Sequence, residues 1–286
     1  MKREFRFIKF QGCGNDFLIF DETNARKTPD RIRSKLARML TDRHFQIGAD
    51  GLMFLEKAKG FDCSMRLFEP AGNEAVMCGN GIRCIAAFMM EKLGTDEVDI
   101  LTRDGVKHIS MIGDEYRVEM GQVRTKRADL KPYMTDKGGR NDSMMSQSFR
   151  AAAKAYRGSI VNSGEPHIVI RTRNLGAVNM TAVGESINEN RERFPHGVNV
   201  NFVQVTGRHS VKIRTYERGV YDETMACGTG ATACAAVAMI LGWVARGEVK
   251  VLTRGGPLRI ELDSDNRALM TGPAKRVCSG TVSVEV

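Results

Sequence analysis

Residues 74–82, EAVMCGNGI, and residues 223–231, ETMACGTGA, repeat one cysteine loop in the two halves of the chain. Both stretches open with Glu and continue, after three residues, as Cys-Gly-x-Gly. An apolar segment with helical character follows each of them. Because the repeat is in phase with these segments, the sequence predicts two structurally related halves.

The segments that follow the loops predict two central helices. In the first, one helical face collects the apolar residues Ile82, Ile85, Ala86, Met89 and Leu93, and Gly94 marks its end. The second, ATACAAVAMILGW at 231–243, is apolar on nearly every side, which predicts burial at the centre of its domain.

Other elements follow from shorter patterns. We predict a helix at 30–43 with Asp30 as its N-cap, and another helix near 184–193. Strands are expected in the stretches 5–10, 17–21, 49–57, 61–70, 98–123 (two or three short strands), 158–172, 198–205 and 209–217.

Many strands with one buried helix in each half indicate an α+β protein of two pseudo-symmetric domains, each a mixed or antiparallel sheet wrapped around its central helix. The polar stretch 124–148, which contains Gly-Gly and Pro, is the best candidate for a linker. We therefore expect an N-terminal domain at 1–124 and a C-terminal domain at 125–273.

The composition argues against several classes of partner. The 286 residues carry a formal net charge of +9, but Lys and Arg are scattered, so we expect no nucleic-acid partner. An anionic small substrate would suit the positive field. No apolar run is long enough to span a bilayer, and the N-terminus lacks a signal-peptide pattern. We therefore expect no membrane partner and a cytoplasmic location.

The cysteines do not form a recognisable framework. Seven cysteines, an odd number without a secretion signal, argue against a disulfide scaffold. The chain has no C-x-x-C pair, so we expect no metal site. Cys84 and Cys234 lie inside the predicted helices and are interpreted as small core residues.

Cys78 and Cys227 stand at predicted helix starts, where a thiol can do acid–base chemistry. Backbone N–H groups at a helix N-terminus hold anions, and a thiol placed there ionises more readily. If the two loops faced one another, they would share a carboxylate and place its α-carbon between two sulfurs. One sulfur could remove the α-proton and the other could return a proton on the opposite face, which inverts the stereocentre.

The residues alone leave other interpretations open. The two cysteines could be structural residues after glycine turns, a redox pair, or parts of phosphate-binding loops. Neither loop carries the Lys-Ser/Thr of a P-loop or the spacing of a dinucleotide fingerprint. A pyridoxal enzyme would need a Schiff-base lysine, and neither loop contains a lysine.

The chain resembles the diaminopimelate epimerase family along nearly its whole length. The segments that carry the resemblance are GCGNDF (12–17), GADGL (48–52), FEPAGNEAVMCGNGIRC (68–84), GEPH (164–167), RFPHGVNVNF (193–202), YERGVYDETMACGTGA (216–231) and TGPA (271–274). The resemblance implies a racemase-type isomerase without a cofactor, with two similar domains, a site in the cleft between them, and residues 274–286 returning to the N-terminal domain. It leaves a homodimer open.

The resemblance also implies roles for individual residues. It implies that Cys78 and Cys227 are the two acid/base thiols and that Arg218 pairs with the distal carboxylate of the substrate. The residues implied to bind substrate through side chains or backbone N–H groups are Asn15, Asn73, Gly79, Asn80, Asn199, Glu217, Gly228 and Thr229. Glu217 and His167 are similar to residues that tune the thiols.

The chain departs from the family at Glu165, where the family often has Asn. A carboxylate there would repel a distal carboxylate of the substrate unless it binds an ammonium group or turns away. We expect interconversion of LL- and meso-diaminopimelate, for lysine or cell-wall synthesis. The alternatives are a racemase of histidine or lysine, or a non-catalytic protein that binds amino acids or phosphate.

Overall fold

The computed structural model describes residues 2–25, 28–135 and 142–285. Strands dominate and helices are few, so the chain is an α+β protein built on mixed sheet. It divides into two compact units, Met1–Val118 with Thr271–Val286 and Glu119–Met270. Among the described residues, no helix has the length and apolar character that crossing a membrane would require.

The elements are numbered in chain order. The first part of the chain forms β1 (Lys2–Gly12), β2 (Asn15–Glu22), α1 (Asp30–Leu40), β3 (Gly51–Ala58), β4 (Phe61–Phe68), β5 (Glu74–Ala75), α2 (Gly79–Leu93), β6 (Glu97–Thr102), β7 (Gly105–Ile112) and β8 (Glu115–Gln122). The remainder forms α3 (Arg127–Leu130), β9 (Gln147–Ala151), β10 (Lys154–Asn162), β11 (Pro166–Arg171), α4 (Met180–Asn188), β12 (Asn199–Gly207), β13 (Ser210–Glu217), β14 (Asp222–Glu223), α5 (Gly228–Ile240), β15 (Val249–Thr253), β16 (Gly256–Leu262), β17 (Arg267–Gly272) and β18 (Lys275–Glu285).

In the first unit the strands pair in the order β18–β1–β2–β3–β4–β6–β7–β8. All neighbours are antiparallel except β2–β3 and β4–β6, which are parallel. A parallel pair requires a crossover connection, and here α1 lies between the first two strands and α2 between the second two. The last strand of the chain thus pairs with the first.

The second unit repeats this pattern of pairing. Its strands run in the order β9–β10–β11–β12–β13–β15–β16, with β11–β12 and β13–β15 parallel and the other neighbours antiparallel. Here α4 and α5 occupy the two crossovers. Therefore α2 and α5, the helices that follow the cysteine loops, hold equivalent places in the chain order of their units.

Each of these two helices is buried within its own unit. Residues 79–90 of α2 are all buried, and in α5 the residues 228 and 230–239 are. The second glycine of each loop makes this close packing feasible. A Cβ on Gly81 would lie 2.5 Å from Met53 Cε, and a Cβ on Gly230 would lie 2.8 Å from Asn201 Oδ1. The repeated glycine therefore serves packing within each unit.

Some expectations about the helices are wrong in detail. Asp30 is the first residue of α1, and Pro29, which has extended backbone angles, takes the N-cap position. Leu93 is 49% exposed because α2 ends as it leaves the core. The helix expected near 184–193 begins earlier, where the Asn179 side chain caps it by accepting the Ala182 N–H.

The stretch 124–148 is not a simple linker. Leu130, Met134 and Met144 are buried in the apolar core of the second unit, and Arg124 pairs with Asn162 in an isolated bridge. Residues 136–141 of this stretch lie outside the described part of the chain. The stretch is polar overall, but these few apolar side chains pack it against the core. The domain boundary between 124 and 125 remains a prediction.

Candidate active site

Cys78 and Cys227 occupy the same local position in their units. Each is the N-cap of its helix, with extended backbone angles, and its carbonyl accepts the first hydrogen bond of the helix. The N–H groups of the following turn lack the carbonyl partners that later helical residues have, and they carry the positive end of the helix dipole. Both sulfurs therefore lie where negative charge is stabilised.

In the first unit, Cys78 is half-buried and contacts Asn15. Its Sγ lies 3.8 Å from Asn15 Oδ1, and Asn80 Nδ2 donates to the same oxygen at 3.3 Å. Asn15 Nδ2 donates to Asp50 Oδ2 at 2.6 Å. The structure thus brings Asn15, Asn80 and Cys78 together within the first unit.

A buried arginine, Arg83, forms hydrogen bonds that hold the start of α2 and the Asn80 side chain in place. Arg83 is fully buried on α2, where it donates to Gly79 O at 3.0 Å and to Asn80 Oδ1 at 2.9 Å. It also donates to Pro273 O at 3.3 Å. Arg83 therefore fixes the Asn80 side chain and ties the helix start to the segment that precedes β18.

In the second unit, Cys227 is buried and receives polar contacts from its own loop. The Gly230 N–H donates to Cys227 Sγ at 3.3 Å, and Thr229 Oγ1 lies 3.3 Å from the same sulfur. Thr229 Oγ1 in turn lies 3.0 Å from His167 Nε2. His167 is thus connected to Cys227 through one hydroxyl group.

His167 is fully buried on β11, and this placement controls its protonation. Burial, with a smaller contribution from the positive charge of Arg218, lowers the pKa of His167 to about 3. The imidazole is therefore neutral at working pH. Its Nδ1 lies 3.0 Å from Asn201 Nδ2, on the neighbouring strand β12.

Arg218, expected to meet the far end of the substrate, is paired with Glu165 within the second unit. Arg218 Nη2 donates to Glu165 Oε2, and the two side chains remain 23% and 40% exposed. The backbone N–H of Arg218 donates to the buried Asn199 Oδ1 at 2.9 Å. Glu165 has therefore turned towards the guanidinium group, and Asn199 holds the backbone that carries it.

Glu217 and Asn73 have other surroundings. The Thr224 hydroxyl donates to Glu217 Oε1. Asn73 is exposed in a turn, where its carbonyl accepts the Glu69 N–H at 2.9 Å. A binding role for either residue stays a prediction.

Three other cysteines, which lie inside strands or helices, differ from this pair. Burial raises the pKa of Cys63 to about 12 and raises the pKa of Cys84 and of Cys234. The interpretation of Cys84 and Cys234 as core residues is confirmed. Within residues 2–25, 28–135 and 142–285, no three His, Cys, Asp or Glu side chains group as metal ligands.

The family model described as diaminopimelate epimerase matches residues 7–126 and 159–277. A diaminopimelate epimerase from Methanothrix thermoacetophila is 41% identical over 99% of this chain and 98% of its own length. One from Methanocella arvoryzae is 38% identical over 98% of this chain and 97% of its own length. The chain belongs to the diaminopimelate epimerase family. The resemblance that rested on the cysteine loops is confirmed.

Solved structures extend the likeness of this diaminopimelate epimerase family member to its fold. A hydroxyproline epimerase from Agrobacterium vitis superposes with a TM-score of 0.68 at 15% identity, over 99% of this chain and 93% of that one. A predicted epimerase from Pseudomonas aeruginosa gives 0.68 at 16% identity, over 97% and 99%. At these identities the likeness shows the fold alone.

Three residues that the sequence interpretation missed support the family's cysteine loops. They are Asp50, which holds Asn15, Arg83, which holds Asn80, and Asn201, which holds His167. A signal was present for Asn201, which lies two residues after Asn199 and so on the same side of one strand. Asp50 and Arg83 also lie inside the quoted motifs; Asp50 contacts Asn15, which is 35 positions away, and Arg83 contacts Asn80, which is three positions away on the same helix.

Proposed function

We propose that the chain is an isomerase that interconverts LL- and meso-diaminopimelate in lysine biosynthesis. The observation that carries the proposal is the pair of helix-capping cysteines, Cys78 and Cys227, in a chain 41% identical to a relative named diaminopimelate epimerase. No metal or pyridoxal is required in this scheme, because the two sulfurs perform both proton transfers.

The proposed reaction uses one cysteine as thiolate and the other as thiol. The thiolate takes the α-proton, and the C–H electron pair passes into the adjoining carboxylate to give an enolate-like dianion. The thiol then gives its proton to the opposite face of the same carbon, which forms the new C–H bond with inverted configuration. The charge ends on the second sulfur, so the enzyme is ready for the reverse reaction.

The developing negative charge needs donors placed in advance. In the proposal, the carboxylate at the reacting carbon accepts hydrogen bonds from the N–H groups of Gly79, Asn80, Gly228 and Thr229, in the first turns of α2 and α5. Donors fixed before the reaction stabilise the transition state more than the substrate, because no reorganisation is needed. The helix dipoles add to the effect.

The distal end of diaminopimelate carries both a carboxylate and an ammonium group. We assign Arg218 to the carboxylate and Glu165 to the ammonium, which removes the repulsion that Glu165 raised in the sequence. The ion pair between the two side chains supports this assignment, because it places a positive and a negative group side by side, as the distal carboxylate and ammonium of the substrate require. Asn15, Asn73, Asn199 and Glu217 complete the proposed set of substrate contacts, and His167 tunes the thiol of its own unit.

The finer architecture is part of the same proposal. Two pseudo-symmetric domains, 1–124 with 274–286 and 125–273, would each wrap a sheet around one buried helix and place the site in the cleft between them. The order of parallel and antiparallel pairs that the two units share supports pseudo-symmetry. A homodimer and a cytoplasmic location remain predictions.

A racemase of lysine or histidine is the second candidate, and the Glu165–Arg218 pair is the observation that favours it. Because Glu165 neutralises Arg218, a substrate whose far end is only cationic would meet no unbalanced positive charge. With such a substrate, Arg218 would contact only Glu165 or solvent. Diaminopimelate, in contrast, would contact both Arg218 and Glu165 through its distal carboxylate and ammonium groups. This difference keeps diaminopimelate first.

The test is incubation in deuterated water with LL-diaminopimelate, L-lysine and L-histidine in parallel. We expect deuterium at the α-carbon and the second stereoisomer to appear with diaminopimelate only. Exchange with lysine or histidine alone would select the second candidate. An absence of exchange with all three, in protein shown to bind diaminopimelate by calorimetry, would identify a non-catalytic binder.

A further inference from the structure

The orientation of the Asn201 side-chain amide is fixed by its neighbours. Asn201 is fully buried, its Nδ2 lies 3.1 Å from Ile168 O, and its Oδ1 accepts from Thr215 Oγ1 at 2.9 Å. A backbone carbonyl can only accept, so the amide nitrogen must face Ile168. The opposite orientation would set two acceptors against each other.

This orientation determines where His167 carries its proton. The same Asn201 nitrogen faces His167 Nδ1 at 3.0 Å, so Nδ1 is the acceptor. A neutral imidazole then carries its hydrogen on Nε2, which donates to Thr229 Oγ1 at 3.0 Å. The lowered pKa of His167, about 3, agrees with a neutral ring.

The Thr229 hydroxyl links His167 to the sulfur. Its oxygen accepts from His167 and lies 3.3 Å from Cys227 Sγ, where either atom can be the donor; in the inferred arrangement the hydroxyl donates. The Gly230 N–H donates to the same sulfur at 3.3 Å. Donors directed at a sulfur favour its charged form.

The contact between Cys78 and Asn15 has the opposite polarity. Asp50 accepts from Asn15 Nδ2, and a carboxylate without a proton can only accept, so Asn15 Oδ1 points towards Cys78. Arg83 donates to Asn80 Oδ1, which leaves Asn80 Nδ2 to donate to Asn15 Oδ1 as well. An acceptor facing the sulfur favours the S–H form.

We infer that the two thiols rest in different protonation states, Cys227 as thiolate and Cys78 as thiol, and that Asn201 and Asp50 are the positioning residues that set this difference. Before substrate binds, Cys227 is then the sulfur that is ready to act as the base. The inference deepens the proposed function. Its tests measure protonation without turnover, so that its failure and a failure of the proposed activity can be told apart.

The first test follows alkylation by iodoacetamide across pH, with the modified cysteines identified by peptide mass spectrometry. The midpoint of each pH profile reports ionisation and is independent of how accessible the sulfur is. We expect the Cys227 midpoint to lie about one pH unit or more below that of Cys78, since hydrogen-bond donors stabilise the thiolate. Equal midpoints or the reverse order would overturn the inference.

Thr229→Val removes the hydroxyl donor and keeps the shape of the side chain, and Thr229→Ser keeps the donor. We expect Thr229→Val to raise the Cys227 midpoint by about one pH unit and to leave the Cys78 profile in place. Thr229→Ser should keep the wild-type Cys227 midpoint. A Cys227 midpoint that does not move in Thr229→Val would show that the hydroxyl does not support the thiolate.

Nitrogen-15 NMR of the histidines reads the tautomer directly. In the wild type we expect the protonated signal of His167 on Nε2 and the unprotonated signal on Nδ1. Asn201→Asp replaces the donor by an acceptor and should move a proton to Nδ1. A wild-type spectrum with the proton on Nδ1 would overturn the assignment even if Asn201→Asp failed to fold.

Discussion

Cys78 and Cys227 differ from Cys63, Cys84 and Cys234 in where the fold places them. The latter three lie inside strands or helices, where burial raises the thiol pKa and keeps the proton on the sulfur. The first two cap helices, where N–H groups and the helix dipole favour negative charge. Position, and not residue type, distinguishes the two helix-capping thiols, which we propose to be the acid/base pair, from the three thiols inside strands and helices.

Replacing either capping cysteine should abolish epimerisation. Because the two-thiol scheme needs a base and an acid, we expect Cys78→Ser and Cys227→Ser each to lower kcat for diaminopimelate by about 10²–10⁴-fold. Cys278→Ser is the matched control, since Cys278 is an exposed cysteine, and it should retain full activity. Near wild-type turnover by either capping variant, with circular dichroism unchanged, would contradict the scheme.

Glu165→Gln tests the distal assignment. Loss of the carboxylate removes the partner of the distal ammonium, so we expect KM for diaminopimelate to rise about 3–10-fold with kcat nearly unchanged, a modest effect because the site is partly exposed. Glu248→Gln breaks a similarly exposed ion pair with Arg259 and should leave KM unchanged. A lower KM in Glu165→Gln would mean that Glu165 competes with the substrate for Arg218.

His167 gives the stability of the chain a dependence on pH. Its pKa is about 3 when folded and near 6.5 when unfolded, so the unfolded state binds the extra proton as pH falls below 6.5. We expect this one residue to lower the free energy of unfolding by up to about 1.4 kcal/mol per pH unit between those values. Urea unfolding of His167→Gln should lack this slope, and exposed His196→Gln should keep it.

Among the elements, helix packing depends on contacts that only the fold brings together. Helix α4 packs on β13 at Gly184, where the helix approaches the buried ring of Tyr216. Helix α1 buries Arg33, which pairs with Glu22 at 2.9 Å and with Glu56 at 2.7 Å. The sequence predicted this helix but not the burial of Arg33, because the carboxylates that pair with it lie on β2 and β3.

Gly184→Ala should destabilise the second unit even though alanine favours helices. A Cβ at this position would lie 2.3 Å from Tyr216 Cγ, so the ring or the helix must shift. We expect a loss of about 1–3 kcal/mol from overpacking, against a gain of about 1 kcal/mol in helix propensity. Glu185→Ala, at the exposed neighbouring position, should change the urea midpoint little; an equal response of both variants would contradict the packing argument.

For the whole molecule, the sequence predicted the repeat, the buried helices and most strands, because each is a local pattern. The ends of α4 and the packing of residues 124–148 were not predicted, because a capping Asn and a few buried apolar side chains determine them. The cysteines, Asn15 and Asn80 could be predicted from the motifs that carry them. The contact of Asp50 with Asn15 could not, because the two residues are 35 positions apart. Arg83 and Asn201 lie inside the motifs, but the sequence does not show that they are buried against Asn80 and His167.

The central claim is that two sulfurs, one from each cysteine loop, act on opposite faces of one carbon. Initial-rate epimerisation of LL-diaminopimelate in deuterated water tests it, with deuterium measured separately in product and in recovered substrate. Because one thiolate keeps the removed proton while the other thiol delivers a solvent deuteron, we predict deuterium at the inverted carbon of the product and none in the remaining substrate. Product that retains the original hydrogen, or substrate labelled as fast as product, would contradict the account.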